Sequence, residues 1–117
     1  LSPPRMENQK IEIMLYAKPL SVNKAWKGRR FKTSDYKAYE KEILALLSKK
    51  PPLSGKLAIH YDFFLTNMWT DIDNLIKPLQ DILQKKGYFK NDNQIITISA
   101  CKKTASKNAI RIKINEL

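Results

Sequence analysis

From Lys56 to Thr66 every second residue is large and apolar: Leu57, Ile59, Tyr61, Phe63 and Leu65. Successive side chains of a strand point to opposite faces, so this stretch is a strand with one apolar face to cover. The period then changes. Asp71 to Lys86 carries Leu75, Ile76, Leu79, Ile82 and Leu83 at helical spacing, and Gly87 supplies a C-terminal stop. Pro78 lies in the early part of this helix, where a missing amide costs less than in the middle. A half-buried strand that leads into an amphipathic helix narrows the fold to helices packed on a sheet.

The flanking segments extend the same plan. Between Lys10 and Ala17, Ile11, Ile13 and Leu15 alternate with Glu12, Met14 and Tyr16, which predicts a strand. Thr33, Ser34 and Asp35 offer N-cap chemistry ahead of Tyr36, Tyr39, Ile43, Leu46 and Leu47. We read a helix there from about Ser34 to Lys49, with lysines near its C-terminal end where the helix dipole favours them. Pro51, Pro52 and Gly55 break the chain. Gln94 to Lys102 and Ala109 to Asn115 read as two strands joined by a polar turn, Lys103 to Asn108. The expectation is a two-layer α+β domain, a small mixed β-sheet with two main helices packed on it, in the order β-α-β-α-β-β. It spans 6–117 as a single domain, with Met6 as the natural start and Leu1 to Arg5 a disordered or expression-derived extension.

A chain of 117 residues has room for one domain, and 43% apolar residues suffice for a core. Lysine and arginine number 22 against 11 acids, a net charge of +11. That excess biases the protein toward polyanions, nucleic acid before anionic membrane. One cysteine, Cys101, excludes an internal disulfide and a multi-cysteine zinc site. One histidine, His60, excludes a histidine cluster and reads as a strand residue rather than a catalytic base. No apolar run reaches membrane-spanning length and no signal peptide is visible, so no membrane partner and a reduced, cytoplasmic setting are expected.

The acids are scarce, and Asp62, Asp71, Asp73, Asp81 and Asp92 all fall within one stretch. Asp71 and Asp73 stand two apart at a strand-to-helix junction. In extended backbone, residues at that spacing point the same way, and their carboxylates repel unless a cation or hydrogen bonds offset them. Mg²⁺ suits such a pair: it takes one or two carboxylates, keeps several waters and fills its shell with phosphate oxygens. Asp92 precedes the strand that begins near Gln94 and joins the pair if that strand runs beside the one ending near Thr66. Lys77, four residues after Asp73, shares its helix face. The pattern alone leaves other readings open. Aspartates at a helix start cap helices. Asp92 between two asparagines makes turns. Lys77 and Asp81 fit a solvated helix surface.

The string Asp71-Ile72-Asp73-Asn74-Leu75-Ile76-Lys77, then Asp81-Ile82-Leu83, then Asn91-Asp92-Asn93-Gln94-Ile95, resembles the RusA family of Holliday junction resolvases. Pro19, Asn23 and the basic stretch to Lys32 resemble the family's Pro-x-x-x-Asn loop. The resemblance implies a Mg²⁺-dependent endonuclease, with Mn²⁺ as a substitute and no organic cofactor. It implies a homodimer that resolves four-way junction DNA by paired nicks in DNA recombination and repair. Asp71, Asp73 and Asp92 would be catalytic metal ligands, and Lys77 the essential basic residue. A bacterial or phage setting follows by the same resemblance. Two cuts related by an approximate two-fold axis also favour a symmetric dimer, because one such domain holds one acidic cluster.

The stretch from Lys18 to Lys32 holds six bases and no acid. It reads as a long loop in which Asn23, Lys24, Lys27, Arg29, Arg30, Phe31 and Lys32 are DNA-contact candidates, with Phe31 equally open to stacking on an unpaired base and to anchoring the loop to the core. Trp26 reads as an anchor to the core. Lys85 and Lys86, close to Asp92 in sequence, are further phosphate-contact candidates. Lys102, Lys103, Lys107, Arg111 and Lys113 form a second basic set that a solvated strand face also explains. A non-catalytic module for branched or single-stranded nucleic acid fits the charge, but gains nothing from aspartates beside its DNA. A small-molecule phosphatase fits Asp-x-Asp and leaves the charge unexplained.

Overall fold

The computed structural model describes residues 9–21, 26–27 and 31–117, with the backbone alone at 26, 27, 31 and 32. Its elements are β1 (Lys10–Leu15), β2 (Trp26–Lys27), β3 (Phe31–Lys32), α1 (Ser34–Leu46), β4 (Leu57–Leu65), α2 (Asp73–Lys86), β5 (Ile95–Thr104) and β6 (Ala109–Glu116), with a 3-10 turn over Asp92–Gln94. The main sheet has four strands in the order β1-β6-β4-β5. β6 pairs antiparallel with both β1 and β4, while β4 and β5 run parallel. The expected α+β architecture is the observed one. The basic loop differs in one respect: it contains β2 and β3, a short antiparallel pair with Trp26 opposite Lys32 and Lys27 opposite Phe31.

The alternation in β4 places its apolar residues as periodicity requires. Leu57, Ile59, Tyr61, Phe63 and Leu65 are buried. They join Ile110, Ile112 and Ile114 of β6 and Leu75, Leu79, Ile82 and Leu83 of α2 in one core, with Tyr36, Tyr39 and Ile43 from α1. The Tyr61 hydroxyl donates to Gln80 Oε1 at 3.2 Å, tying the centre of the sheet to α2. The alternate residues of β4, among them His60, Asp62 and Phe64, therefore lie on the opposite sheet face.

The helix ends follow local chemistry. Thr33 caps α1 by accepting from the Tyr36 amide at 3.1 Å. α1 stops at Leu46, short of Lys49, because Leu47 turns into the core with extended backbone. The residue before Pro51 is also biased away from helix. Lys49 and Lys50 thus lie beyond α1, whose last turn holds no base. Gly87 ends α2 with φ 97°, a left-handed conformation that favours glycine. β5 runs on to Thr104, past the expected turn at Lys103, because Thr104 still pairs with Leu65.

Candidate active site

α2 carries the acidic constellation. Its N-cap position is Ile72, which provides no side-chain cap. Backbone bonds close the turn instead: the Asn74 amide donates to the Asp71 carbonyl at 3.2 Å and the Leu75 amide to the Ile72 carbonyl at 3.1 Å. Asp71 and Asp73 are exposed, and neither carboxylate has a partner among the described residues. Capping does not occupy them. Asp73 in the first turn gains from the positive end of the helix dipole, which favours negative charge there.

Lys77 lies on the same face, one turn further. Its Nζ donates to Asp81 Oδ1 at 2.8 Å and lies 3.6 Å from Asp92 Oδ2. The hydrogen bond to Asp81 and the nearby Asp92 charge raise the Lys77 pKa against the effect of burial, so it stays protonated at neutral pH. Asp81, which the sequence leaves open between helix surface and functional role, is the side chain that holds Lys77 in place.

Asp92 sits in the 3-10 turn before β5. The turn has its own closure: Asn91 Oδ1 accepts from the Asn93 amide at 3.0 Å, and Gln94 Oε1 accepts from the Lys90 and Asn91 amides. Asp92 is not needed to make it, and its carboxylate faces Lys77.

β5 does run beside β4, as the joining of Asp92 to the pair requires, but parallel to it. Ile95 at the start of β5 is opposite Leu57 at the start of β4, whereas Asp71 follows the end of β4. Asp92 therefore approaches α2 from the far end of the sheet and meets it level with Lys77 and Asp81. Asp73 and Asp81 are separated by roughly 12 Å of helix at 1.5 Å per residue. Among the described residues no three His, Cys, Asp or Glu side chains are gathered closely enough to hold a metal between them. Lys77 stands between Asp92 and the aspartate pair. The donor chemistry still suits a hard cation: two exposed, unpartnered carboxylates match the one or two that Mg²⁺ takes from protein beside water and phosphate.

The segment carrying Asp71 is braced from β5 and from the turn between β5 and β6. Lys102 of β5 donates to the carbonyls of Met68 at 3.0 Å and Thr70 at 2.8 Å. Asn108 accepts from the Thr66 amide at 3.0 Å. The sequence shows Lys102 only as one of a basic set. The signal that singles it out is its register: it pairs with Phe63, on the core-facing side of the sheet, where a lysine needs acceptors.

The other basic candidates have mixed outcomes. Asn23, Lys24, Arg29 and Arg30 lie outside the described residues, as do the side chains of Trp26, Lys27, Phe31 and Lys32. Lys85 pairs with Glu40 at 2.6 Å and Lys86 donates to the Leu44 carbonyl at 3.2 Å, so both bridge α2 to α1. On the sheet face away from the helices, Asp62 is 3% exposed. It accepts from Arg111 Nε at 3.0 Å, hydrogen-bonds His60 Nε2 at 2.9 Å and lies 3.4 Å from Lys103 Nζ. His60 spends its other ring nitrogen on Ser99 Oγ at 2.6 Å.

Fold and surface together define a small, strongly basic α+β domain that sets out carboxylates and a lysine along one helix, a build suited to handling phosphate through a cation. The family model for Endodeoxyribonuclease RusA matches residues 17–115, and the chain belongs to that family. It is 28% identical over 113 residues to the crossover junction endodeoxyribonuclease rusA of Lactococcus phage r1t, covering 91% of this chain and 80% of that one. It is 44% identical over 45 residues to the crossover junction endodeoxyribonuclease RusA of Aquifex aeolicus (strain VF5), covering 38% of this chain and 36% of that one.

Proposed function

We propose that the chain is a Mg²⁺-dependent endonuclease that resolves four-way DNA junctions by paired phosphodiester nicks, acting as a homodimer. The observation that carries this reading is the exposed Asp71 and Asp73 pair, without a partner among the described residues and about one helical turn from Lys77, in a family of endodeoxyribonucleases. Asp71, Asp73 and Asp92 are the proposed carboxylates for the cation, and Mn²⁺ has the same ligand preference. The cation would supply activation of a water nucleophile and charge stabilisation at the leaving oxygen. Lys77, held by Asp81 at 2.8 Å and 3.6 Å from Asp92, would present its amine to a phosphate oxygen beside the cation. Its positive charge offsets the negative charge that grows on the phosphoryl group.

The test is a labelled immobile four-way junction with varied dinucleotides at the branch, in Mg²⁺ and in EDTA, beside a matched linear duplex. Symmetric nicks in the junction alone, and only with Mg²⁺, are expected. Tight binding with no cleavage under any divalent metal would make this a binding module instead. Asp73→Asn should abolish cleavage while keeping or strengthening junction binding, since it removes negative charge beside phosphate. Lost binding in a folded variant would remove Asp73 from the catalytic set. Light scattering after size exclusion should give twice the 13.6 kDa chain mass.

A further inference from the structure

Beside the aspartate pair lies a cleft of about 680 Å³. Thr70 and Leu75, which bracket Asp71 and Asp73 in the chain, both line it. That volume is within the range of small-molecule sites. Its apolar lining includes Leu65, Leu75 and Tyr39, its polar lining Asn67 and Asn108, and Lys18, Asp35 and Glu42 add charge to the wall. Trp69 forms part of the wall, yet it is 90% exposed.

An indole left in water forgoes a large apolar burial. Here the exposure is built in. Trp69 lies within the Thr66 to Thr70 segment that Lys102 and Asn108 brace. Its own amide donates to Asn67 Oδ1 at 2.8 Å, in a tight Asx turn. The indole is held out from the surface by a fixed backbone. A second observation concerns Tyr39. It is buried, it lines the cleft, and its hydroxyl has no hydrogen-bond partner among the described residues. The Leu20 backbone lies near enough to oppose the rise in the phenol's pKa that burial causes, without hydrogen-bond geometry.

A flat ligand with an apolar face and a polar edge fits this lining. In a strongly basic chain whose neighbouring aspartates act on phosphate under the reading proposed above, that ligand is a nucleobase. We infer that the cleft receives one unpaired nucleobase of the DNA, stacked on Trp69, so that its backbone phosphate lies toward Asp71 and Asp73. This inference rests on the nuclease reading of the aspartate pair. A base inside a duplex is stacked and paired on both sides and does not reach the cleft. A base at an open branch point does. Trp69 thereby selects branched DNA over linear DNA.

The test measures binding in EDTA, where no strand is cut. Three proteins are compared, wild type, Trp69→Ala and Trp69→Phe, on an intact four-way junction, a linear duplex, and junctions carrying one abasic site at successive branch-point positions. Trp69→Ala should weaken binding to the intact junction about 5- to 100-fold, the range for losing one stacked base. Trp69→Phe should retain most of the affinity, and duplex binding should not change. One abasic position should weaken the wild type by a similar factor and leave Trp69→Ala no weaker than on the intact junction. Unchanged junction binding by Trp69→Ala overturns the inference. So does an equal loss on duplex, or an equal loss at every abasic position. Cleavage in Mg²⁺ is read separately. A junction that shows the stacking effect but is never cut rejects the nuclease reading and keeps the cleft, and the reverse pattern rejects the cleft alone.

Discussion

Lys102 gives both of its observed hydrogen bonds to backbone carbonyls just ahead of Asp71. An ammonium bonded to two carbonyls fixes where that segment leaves the sheet, and so where the aspartate pair stands. Replacing it with methionine keeps the stem and removes the donors. Lys102→Met should raise the Mg²⁺ concentration needed for half-maximal cleavage by about tenfold, the equivalent of one missing charged hydrogen bond. Calorimetric Mn²⁺ binding should weaken alongside, while junction affinity in EDTA holds. Lys102→Arg keeps a donor and should recover part of the loss. If Lys102→Met lowers stability and leaves the metal dependence unchanged, the residue only supports the fold. At this scale pattern singles out Asp71, Asp73, Asp92 and Lys77 as candidate site residues, but not their partners. Lys77 meets Asp81 through helical spacing, which is legible in sequence. Lys102 meets Met68 and Thr70 through strand pairing, which is not.

Between elements, the direction of one strand decides the site's layout. Periodicity locates β4, α2 and β6 to within a residue or two, because each has one apolar face to bury. It does not say that β5 runs parallel to β4, and that pairing places Asp92 across Lys77 from the aspartate pair. The apolar face also predicts nothing about the other side of β4, where Asp62 is enclosed by side chains from β4, β5 and β6. Burial raises the Asp62 pKa, but hydrogen bonds from His60 and Arg111 and the Lys103 charge outweigh it, so its pKa lies below 3.8. A depressed carboxylate pKa contributes stability that is present above the unfolded value and is lost as pH falls through the folded one. Asp62→Asn should therefore destabilise the domain by roughly 2 to 3 kcal/mol at pH 7, about 10 °C in melting temperature, discounted because Arg111 and Lys103 reach solvent. The gap from wild type should narrow as pH drops below about 4. A gap that stays constant with pH would mean packing, not charge, sets the cost. At the end of α2, Gly87→Ala should cost about 1 kcal/mol through its left-handed backbone alone, since an added Cβ meets nothing within 4 Å.

Over the whole molecule the net charge of +11 is unevenly available to a partner. Many cations of the helices and the main sheet are already engaged. Lys77 and Lys85 are paired with acids, Lys86 and Lys102 with carbonyls, and Lys103 and Arg111 with Asp62. A cation held by a carboxylate releases fewer counterions from DNA when it binds, because part of its charge is already neutralised. The stretch from Lys18 to Lys32 has six bases and no acid of its own. The salt dependence of junction binding should therefore reside there. Replacing Arg29 and Arg30 together with alanine should flatten the slope of log K against log salt by up to about 2, close to one unit for each phosphate left without its cation. Lys85→Ala should leave the slope nearly unchanged, because Lys85 is already paired with Glu40 at 2.6 Å. Equal slopes for the arginine variant and the wild type would move the main phosphate surface off this stretch. A large change for Lys85→Ala would show that DNA displaces Glu40 and reaches the α1–α2 side of the domain.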